Sequence, residues 1–412
     1  MRVLLVNKFN FLKGGADKYF LDLAELLLSK KVKVAKFAMR HPSNLPDKYS
    51  RYWPTGVNFD RFSHRHVFKY FSHIFWNFEA ARQFGKVIKE FKPDIIHINN
   101  IYHHLSPSIL PVAKRYHLPV VMHLHDYKLI SPNYKLFSRG EIDESAKGGH
   151  WWRSVAKRGI KDSYFKSFIA ATEMWWHHNV LKVYEKNVDL FIAPSQFMKN
   201  KMVEWGVDEA KIVVLYHFID TKKFKPEFAL GDYLLYFGRL DQGKGVDNLL
   251  KAMVKVKGNM KLKIVGSGSE YKVLKEMTKK LGLEKRVEFL GPKYDQELKE
   301  VIRQAYLVII PSRLYEVFGL VNLEAGALGK FVIASNIGGI PEAVQSRHSA
   351  LLFNYDSSDD LATKINWSLD NPRAVSDGAK EAREFVEKNF SPDQHFAGLM
   401  KIYEKLLAST KN

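Results

Sequence analysis

"PSRLYEVFGLVNLEAGALGK", residues 311–330, places Glu316 and Glu324 eight positions apart, on either side of Phe318-Gly319-Leu320. On one straight helix, eight positions at 3.6 residues per turn would separate them by about 80°. Pro311 and the apolar run "YLVIIPS" (306–312) argue instead for a strand, a loop carrying Glu316, and a helix that starts near Gly319 with Glu324 one to two turns in. The first N–H groups of such a helix lack intrahelical acceptors and suit a diphosphate or a sugar oxygen. A loop carboxylate can grip sugar hydroxyls, and a helix carboxylate can accept from a ribose. Taken alone, the pair is explained equally well as two surface glutamates favoured by the helix dipole.

A second stretch tips the balance. "YFGRLDQGKGVDNLLKA" (236–252) sets Arg239 and Lys244 between an apolar strand and an amphipathic helix, among Gly238, Gly243 and Gly245. Two cations at the carboxyl edge of a strand make a pyrophosphate site, and they would stabilise charge on a departing diphosphate without a magnesium ion. "VGSGSE" (265–270), with Gly266, is a third glycine turn between strand and helix. A lone G-x-G is weak; Arg-x4-Lys, G-x-G and Glu-x7-Glu in this order, each on a strand-to-helix turn, are specific.

These turns belong to a repeating pattern. In the first half, "RVLLVN" (2–7), "VKVAKF" (32–37), "DIIHIN" (94–99), "PVVMHLHD" (119–126) and "VDLFIAPS" (188–195) read as short strands with polar residues at their carboxyl ends. Helical segments alternate with them, and Gly14-Gly15 follows the first. After a polar stretch, "TKKFKPEFALGD" (221–232), the alternation restarts with "YLLYFG", "KLKIVG", "VEFLG", "YLVIIPS" and "FVIAS". The expectation is α/β: two Rossmann-like, doubly wound domains, 1–217 and 218–390, facing across a cleft at the carboxyl ends of their strands. The final segment, 391–412, reads as an amphipathic helix crossing back to the first domain. Residues 127–187 break the rhythm as an insertion with two Trp pairs, "HWWRS" and "EMWWHH". Large aromatics are mostly buried, so these pairs are read first as core and second as a platform for sugar or lipid.

Composition narrows the function classes. The 412 residues have globular hydrophobicity, no run approaching a membrane span, and no cysteine for disulfides or thiolate ligation. "MRVLLVNKFNFL" is too short in apolar length for a signal peptide, so a cytoplasmic location is expected. The net charge of +20 is lopsided, because residues 1–216 carry 34 Lys+Arg against 19 Asp+Glu. An anionic partner is implied, or simple solubility. The segment 61–91, rich in Phe, Tyr, Trp and basic residues, is a candidate face for an anionic membrane surface. His123 and His125 can share one face of a strand, toward His97, but no third ligand has zinc-like spacing, so no metal is assigned.

"GRLDQGKGVDNLLKA", "IVGSGSE", "FLGPK" and "PSRLYEVFGLVNLEAGALGKFVIASNIGGIPEAV" resemble the C-terminal domain of family 4 glycosyltransferases, retaining enzymes of the GT-B fold. "HLHDYKLISP", the early glycine pair and the C-terminal helices extend the resemblance over nearly the whole chain. The insertion is similar to that of bacterial members that carry cysteines there, which this chain lacks.

The resemblance implies that Arg239 and Lys244 hold the donor diphosphate, between the turns of Gly238 and Gly266. It implies that Glu316 contacts the transferred sugar beside the backbone of Phe318, Gly319 and Leu320, and that Glu324 holds the ribose. Gly14 and Gly15 would let the first helix approach the donor phosphates or the acceptor. His125 would lie near the reacting carbon, and Asp126 would line the acceptor pocket or cap the next segment. The implied activity is sugar transfer from a UDP-sugar or GDP-sugar to a glycan or lipid-linked acceptor in cell-envelope or polysaccharide synthesis, with no cofactor. Two other readings compete. A nucleotide-sugar 2-epimerase shares the architecture but would not be expected to carry Arg-x4-Lys. A basic nucleic-acid-binding protein would fit the charge, but no recognised nucleic-acid motif is present.

Overall fold

Arg2–Val6 (β1) is an interior strand of the first sheet, with its last four residues buried. A strand covered by helices on both faces has no polar side to present, which is why it reads as an unbroken apolar run. The computed structural model describes residues 1–56, 73–344 and 349–410.

The other strands of the first sheet are Lys33–Phe37 (β2), Ile95–Ile98 (β3), Val120–His123 (β4), Leu190–Ala193 (β7) and Ile212–Val214 (β8); β5 and β6, Phe137–Ser138 and Glu141–Ile142, form a separate hairpin. The sheet is parallel throughout, in the order β2-β1-β3-β4-β7-β8. The second sheet comprises Tyr233–Phe237 (β9), Lys261–Val265 (β10), Val287–Gly291 (β11), Leu307–Ile310 (β12), Val332–Ser335 (β13) and Ala350–Phe353 (β14). Its order is β11-β10-β9-β12-β13-β14, also parallel. Each order reverses at one place, between β1 and β3 in the first sheet and between β9 and β12 in the second. Such a reversal opens a crevice at the carboxyl ends of the two strands.

The C-terminal helix Pro392–Thr410 packs on the first domain rather than the second. Leu399 and Tyr403 are fully buried against β1 and the helix Gly15–Ser29. The Tyr403 hydroxyl lies 2.6 Å from His97 Nδ1, and the Tyr19 hydroxyl lies 2.9 Å from His395 Nε2. His395 Nδ1 donates to the Tyr216 carbonyl at 2.8 Å, so Nε2 is its acceptor and Tyr19 donates to it.

Two expectations change. Of the two Trp pairs only Trp151 is core: it is buried and donates to Asn179 Oδ1, whereas Trp152, Trp175 and Trp176 are exposed. The helix Tyr164–Met174 turns small and polar residues, Ser167, Ala170, Ala171 and Glu173, inward together with Met174. Glu173 is held inside by Lys128 Nζ at 2.7 Å and His103 Nε2 at 2.8 Å, leaving the aromatics outside. In the segment 61–91, residues 61–72 lie outside the described residues, and the helix Phe78–Phe91 packs Phe84, Val87, Ile88 and Phe91 into the core, so that apolar face is no membrane surface.

Replacing Tyr403 with alanine should destabilise the protein by about 3–5 kcal/mol, as removal of a fully buried aromatic ring does. Urea denaturation measures it, and a loss below about 1 kcal/mol would show that the C-terminal helix does not brace the first domain.

Candidate active site

The second sheet's crevice collects the charged residues. β9 ends at Phe237, and Gly238, Arg239 and the turn Gln242–Lys244 follow. β12 ends at Ile310, and the loop to the helix Leu320–Ala327 carries Ser312 and Glu316. Lys244 Nζ is bonded to Glu316 Oε1, and the Ser312 hydroxyl donates to the same oxygen at 2.8 Å. Burial alone would raise the Glu316 carboxyl. The ammonium of Lys244, its hydrogen bond, that of Ser312 and the Arg239 charge outweigh it and hold Glu316 below the ordinary carboxylate range. Arg239 pairs with Asp241 at 3.1 Å and is otherwise open to solvent.

Backbone approach explains the glycines. A Cβ on Gly266 would lie 1.8 Å from the Gly238 carbonyl oxygen, and one on Gly245 would lie 1.8 Å from that of Pro311. These turns are pressed together as closely as backbone allows. Gly319 has φ 93° and starts the helix Leu320–Ala327, which follows the loop from the carboxyl end of β12. The Glu316 carbonyl accepts from Gly339 N at 2.8 Å, which pins the loop.

The first domain meets this loop directly. A Cβ on Gly15, at the start of the first helix, would sit 3.7 Å from Leu320 Cδ1, so the two helix starts face each other. Gly14 is the residue before that helix and has extended backbone. The Ser195 hydroxyl donates to the Val317 carbonyl at 2.6 Å, and Glu342 accepts from Gln196 N and Phe197 N at 2.7 and 2.8 Å. Phe318 is fully buried against Tyr216, His217 and Phe390. Glu324 is half-buried; burial raises its carboxyl, and Lys18 on the first helix partly opposes this.

On the first domain's side, Asn7 follows β1, Asn99 and Asn100 follow β3, and His125 and Asp126 follow β4. His125 Nε2 donates to Asn99 Oδ1 at 2.9 Å, leaving Nδ1 as the lone-pair nitrogen. Asn100 N donates to Asn7 Oδ1 at 3.2 Å, and Asn7 Nδ2 donates to Asp17 Oδ1 at 2.8 Å. Asp126 accepts from Lys128 N at 2.9 Å, which makes it a cap for the following turn. Burial raises its carboxyl. The structure therefore brings Arg239, Lys244, Gly238, Gly266 and Glu316 together on one side, with Gly14, Gly15, Phe318, Gly319, Leu320 and Glu324 where the domains meet. His125 and Asp126 belong to the facing crevice.

Sequence reading missed Asn7, Asn99, Asn100 and His217. The only signal for the asparagines was a polar residue ending an apolar run. His217 supplies the third imidazole that had no visible counterpart: nitrogens of His123, His125 and His217 lie within 4.8 Å of one another. The three rings are stacked, with interplanar angles of 17–23° and centroids 4.7–5.6 Å apart. Burial first, with neighbouring imidazoles second, pushes His123 well below its ordinary value, as it does His217. Burial, with the nearby Lys8 charge, lowers His125 to about 3.

The chain matches Glycosyltransferase Family 4 over residues 13–223 and Glycosyl transferases group 1 over residues 218–388. It belongs to glycosyltransferase family 4. An uncharacterised 42.6 kDa protein in the cps region of Klebsiella pneumoniae is 27% identical over 360 residues, which cover 83% of this chain and 87% of that one. Among solved structures, sucrose-phosphate synthase from Thermosynechococcus elongatus superposes with a TM-score of 0.73 at 19% identity, over 99% of both chains. Anabaena HepE in complex with UDP and glucose gives 0.68 at 20% identity, over 98% of this chain and all of that one. Both likenesses show the shared two-domain fold of this glycosyltransferase.

The buried imidazoles of the enzyme give its stability a pH window. Burial lowers His97 to about 3 and His395 to about 4, against about 6.5 unfolded. As pH falls, the unfolded chain takes up these protons first, so stability is present above about pH 6.5 and drains below it. Each of the two accounts for about 2 kcal/mol between pH 7 and pH 5. The lowered carboxyls of Glu173 and Glu316 lose their contribution only below about pH 4.5. The raised Asp126 and Glu324 offset part of the slope. Calorimetry across this range should show a falling midpoint with proton uptake on unfolding, and a flat midpoint would contradict it.

Proposed function

We propose that this glycosyltransferase is a retaining, metal-independent enzyme. It moves a sugar from a UDP-sugar or GDP-sugar to a glycan or lipid-linked acceptor, working peripherally on the cytoplasmic face of a membrane in envelope or polysaccharide synthesis. The observation that carries the reading is the half-buried Lys244–Glu316 pair with Arg239 at the reversal of the second sheet. It pairs fixed cations, suited to a diphosphate, with an ionised carboxylate, suited to sugar hydroxyls. The cps-region relative and the UDP and glucose held by HepE support the same substrate class.

In this reading, the bond from the anomeric carbon to the diphosphate oxygen breaks and the bond to the acceptor oxygen forms on the same face. The acceptor's proton passes to the departing diphosphate, so configuration is kept and no protein nucleophile is used. Arg239 and Lys244 stabilise the charge that develops on the leaving group, which removes the need for a metal in that role. Glu316 orients the sugar, and Glu324 accepts from the ribose. His125 is neutral at physiological pH, so it acts as a hydrogen-bond acceptor through Nδ1 and not as a cation.

A thermal-shift panel of UDP- and GDP-sugars should raise the midpoint for one donor. A ligand at 100 times its Kd adds roughly 2.7 kcal/mol. Product NMR should then show the donor's anomeric configuration, with turnover unchanged by EDTA. Lys244→Ala should cut kcat by about 10²–10³-fold. No shift with any nucleotide sugar would sink the reading, and an inverted product would remove the retaining mechanism alone.

A further inference from the structure

The helix Tyr164–Met174 and the wider helical segment Trp175–Val180 that continues it are inside out. They bury Ser167, Glu173 and His177, while Tyr164, Phe165, Phe168, Trp175 and Trp176 on this face, with Trp152 beside it, are 37–68% exposed. The Trp152 and Phe168 rings lie 5.7 Å apart, so the turn before Arg153 and the helix Tyr164–Met174 contribute to one patch. Scattered exposed apolar side chains need no explanation, but six large aromatics on a single insertion do.

The surrounding charge says what covers them. Residues 150–182 contain six Lys+Arg and two Asp+Glu. Both acids are engaged elsewhere: Asp162 with Arg139 at 2.5 Å, and Glu173 inside with Lys128. Arg158 lies 4.3 Å over the Tyr164 ring, at the rim of the patch. Exposed aromatics with Arg158 at their rim, on a segment with an excess of cations and no unpaired acid, match an interface with hydrocarbon below anionic headgroups. The same insertion reaches the cleft. Ile142 of its hairpin packs on the second domain's core, and Lys135 pairs at 3.5 Å with Asp241, the partner of Arg239.

We propose that this aromatic face of the insertion docks the enzyme on an anionic lipid bilayer and sets the cleft beside it. The proposal deepens the peripheral-membrane part of the function given above and rests on it. It is a different surface from the apolar face of the helix Phe78–Phe91, which is buried.

Flotation of the full chain with vesicles of phosphatidylcholine, with and without phosphatidylglycerol, tests it. The expected result is binding to the anionic vesicles, weakened but not abolished by high salt, since the aromatics insert as well. The combined variant Phe165→Ser, Phe168→Ser, Trp175→Ser should bind about 10-fold or more weakly while keeping the wild-type donor thermal shift. Tryptophan quenching by brominated lipid in the wild-type protein gives the same answer without any substitution. Wild-type-like vesicle binding by the variant, or no quenching, overturns the proposal. So does a dimer that forms without lipid and that the variant dissociates, because the face then belongs to a second copy. A donor shift without vesicle binding rejects the docking surface alone. Vesicle binding without any donor shift rejects the sugar-transfer reading and leaves the surface standing.

Discussion

A carboxylate and an ammonium, both largely withdrawn from water, face each other where the second sheet reverses direction. Taking Glu316 and Lys244 out of water costs more than a surface pair would, and such pairs seldom add net stability over apolar packing. Their surroundings are built to keep them there. Ser312 gives Glu316 a second donor, Gly339 N holds its carbonyl, and a Cβ on Gly243 would meet the Leu314 side chain at 2.5 Å. The loop carrying Glu316 also supplies Val317 to Ser195 and Phe318 to the aromatic contacts of Tyr216 and His217. Residues 312–318 thus take part both in the ion pair and in the docking of the two domains.

The first domain answers with a different kind of interior. Its crevice is lined by asparagines and neutral imidazoles in place of ion pairs. His97, His123, His125 and His217 form a run of stacked rings, and Tyr19 lies against three of them. Neutral rings tolerate burial where cations would not. The C-terminal helix completes this interior, because Tyr403 and His395 give His97 and Tyr19 their polar partners. That helix follows the second domain in sequence, so the chain returns from the second domain to the first.

The alternation of strands and helices was legible because parallel strands buried on both faces read as short apolar runs, each ending in a polar residue. Arg239, Lys244 and Glu316 were legible because each sits on a turn with its own glycine or proline, and Glu324 because it lies in the helix that Gly319 starts. His217 was not, since its partners lie some ninety residues upstream and nothing local marks it. The exposure of Trp152, Trp175 and Trp176 was hidden for a related reason. Aromatics default to the core, and the choice was reversed by Glu173, which takes the inner face because Lys128 and His103 wait there from distant segments. Patterns within one element were readable; decisions made by a partner elsewhere in the chain were not.

The two glutamates of the opening stretch are the same residue type eight positions apart, yet their environments push them in opposite directions. Glu316 faces two cations and a hydroxyl and stays ionised. Glu324 stands at the domain boundary, where burial raises its carboxyl and Lys18 only partly restores it. Paired carboxylates whose settings separate their titrations are how one site divides its work. An ionised Glu316 beside Lys244 can orient a sugar without being neutralised by it. Glu324 answers to the first domain as well as to its own helix, because Lys18 and Asp22 on the first helix push its titration in opposite directions. The glycine between them, at φ 93°, makes the division possible by ending the loop and starting the helix within a single residue.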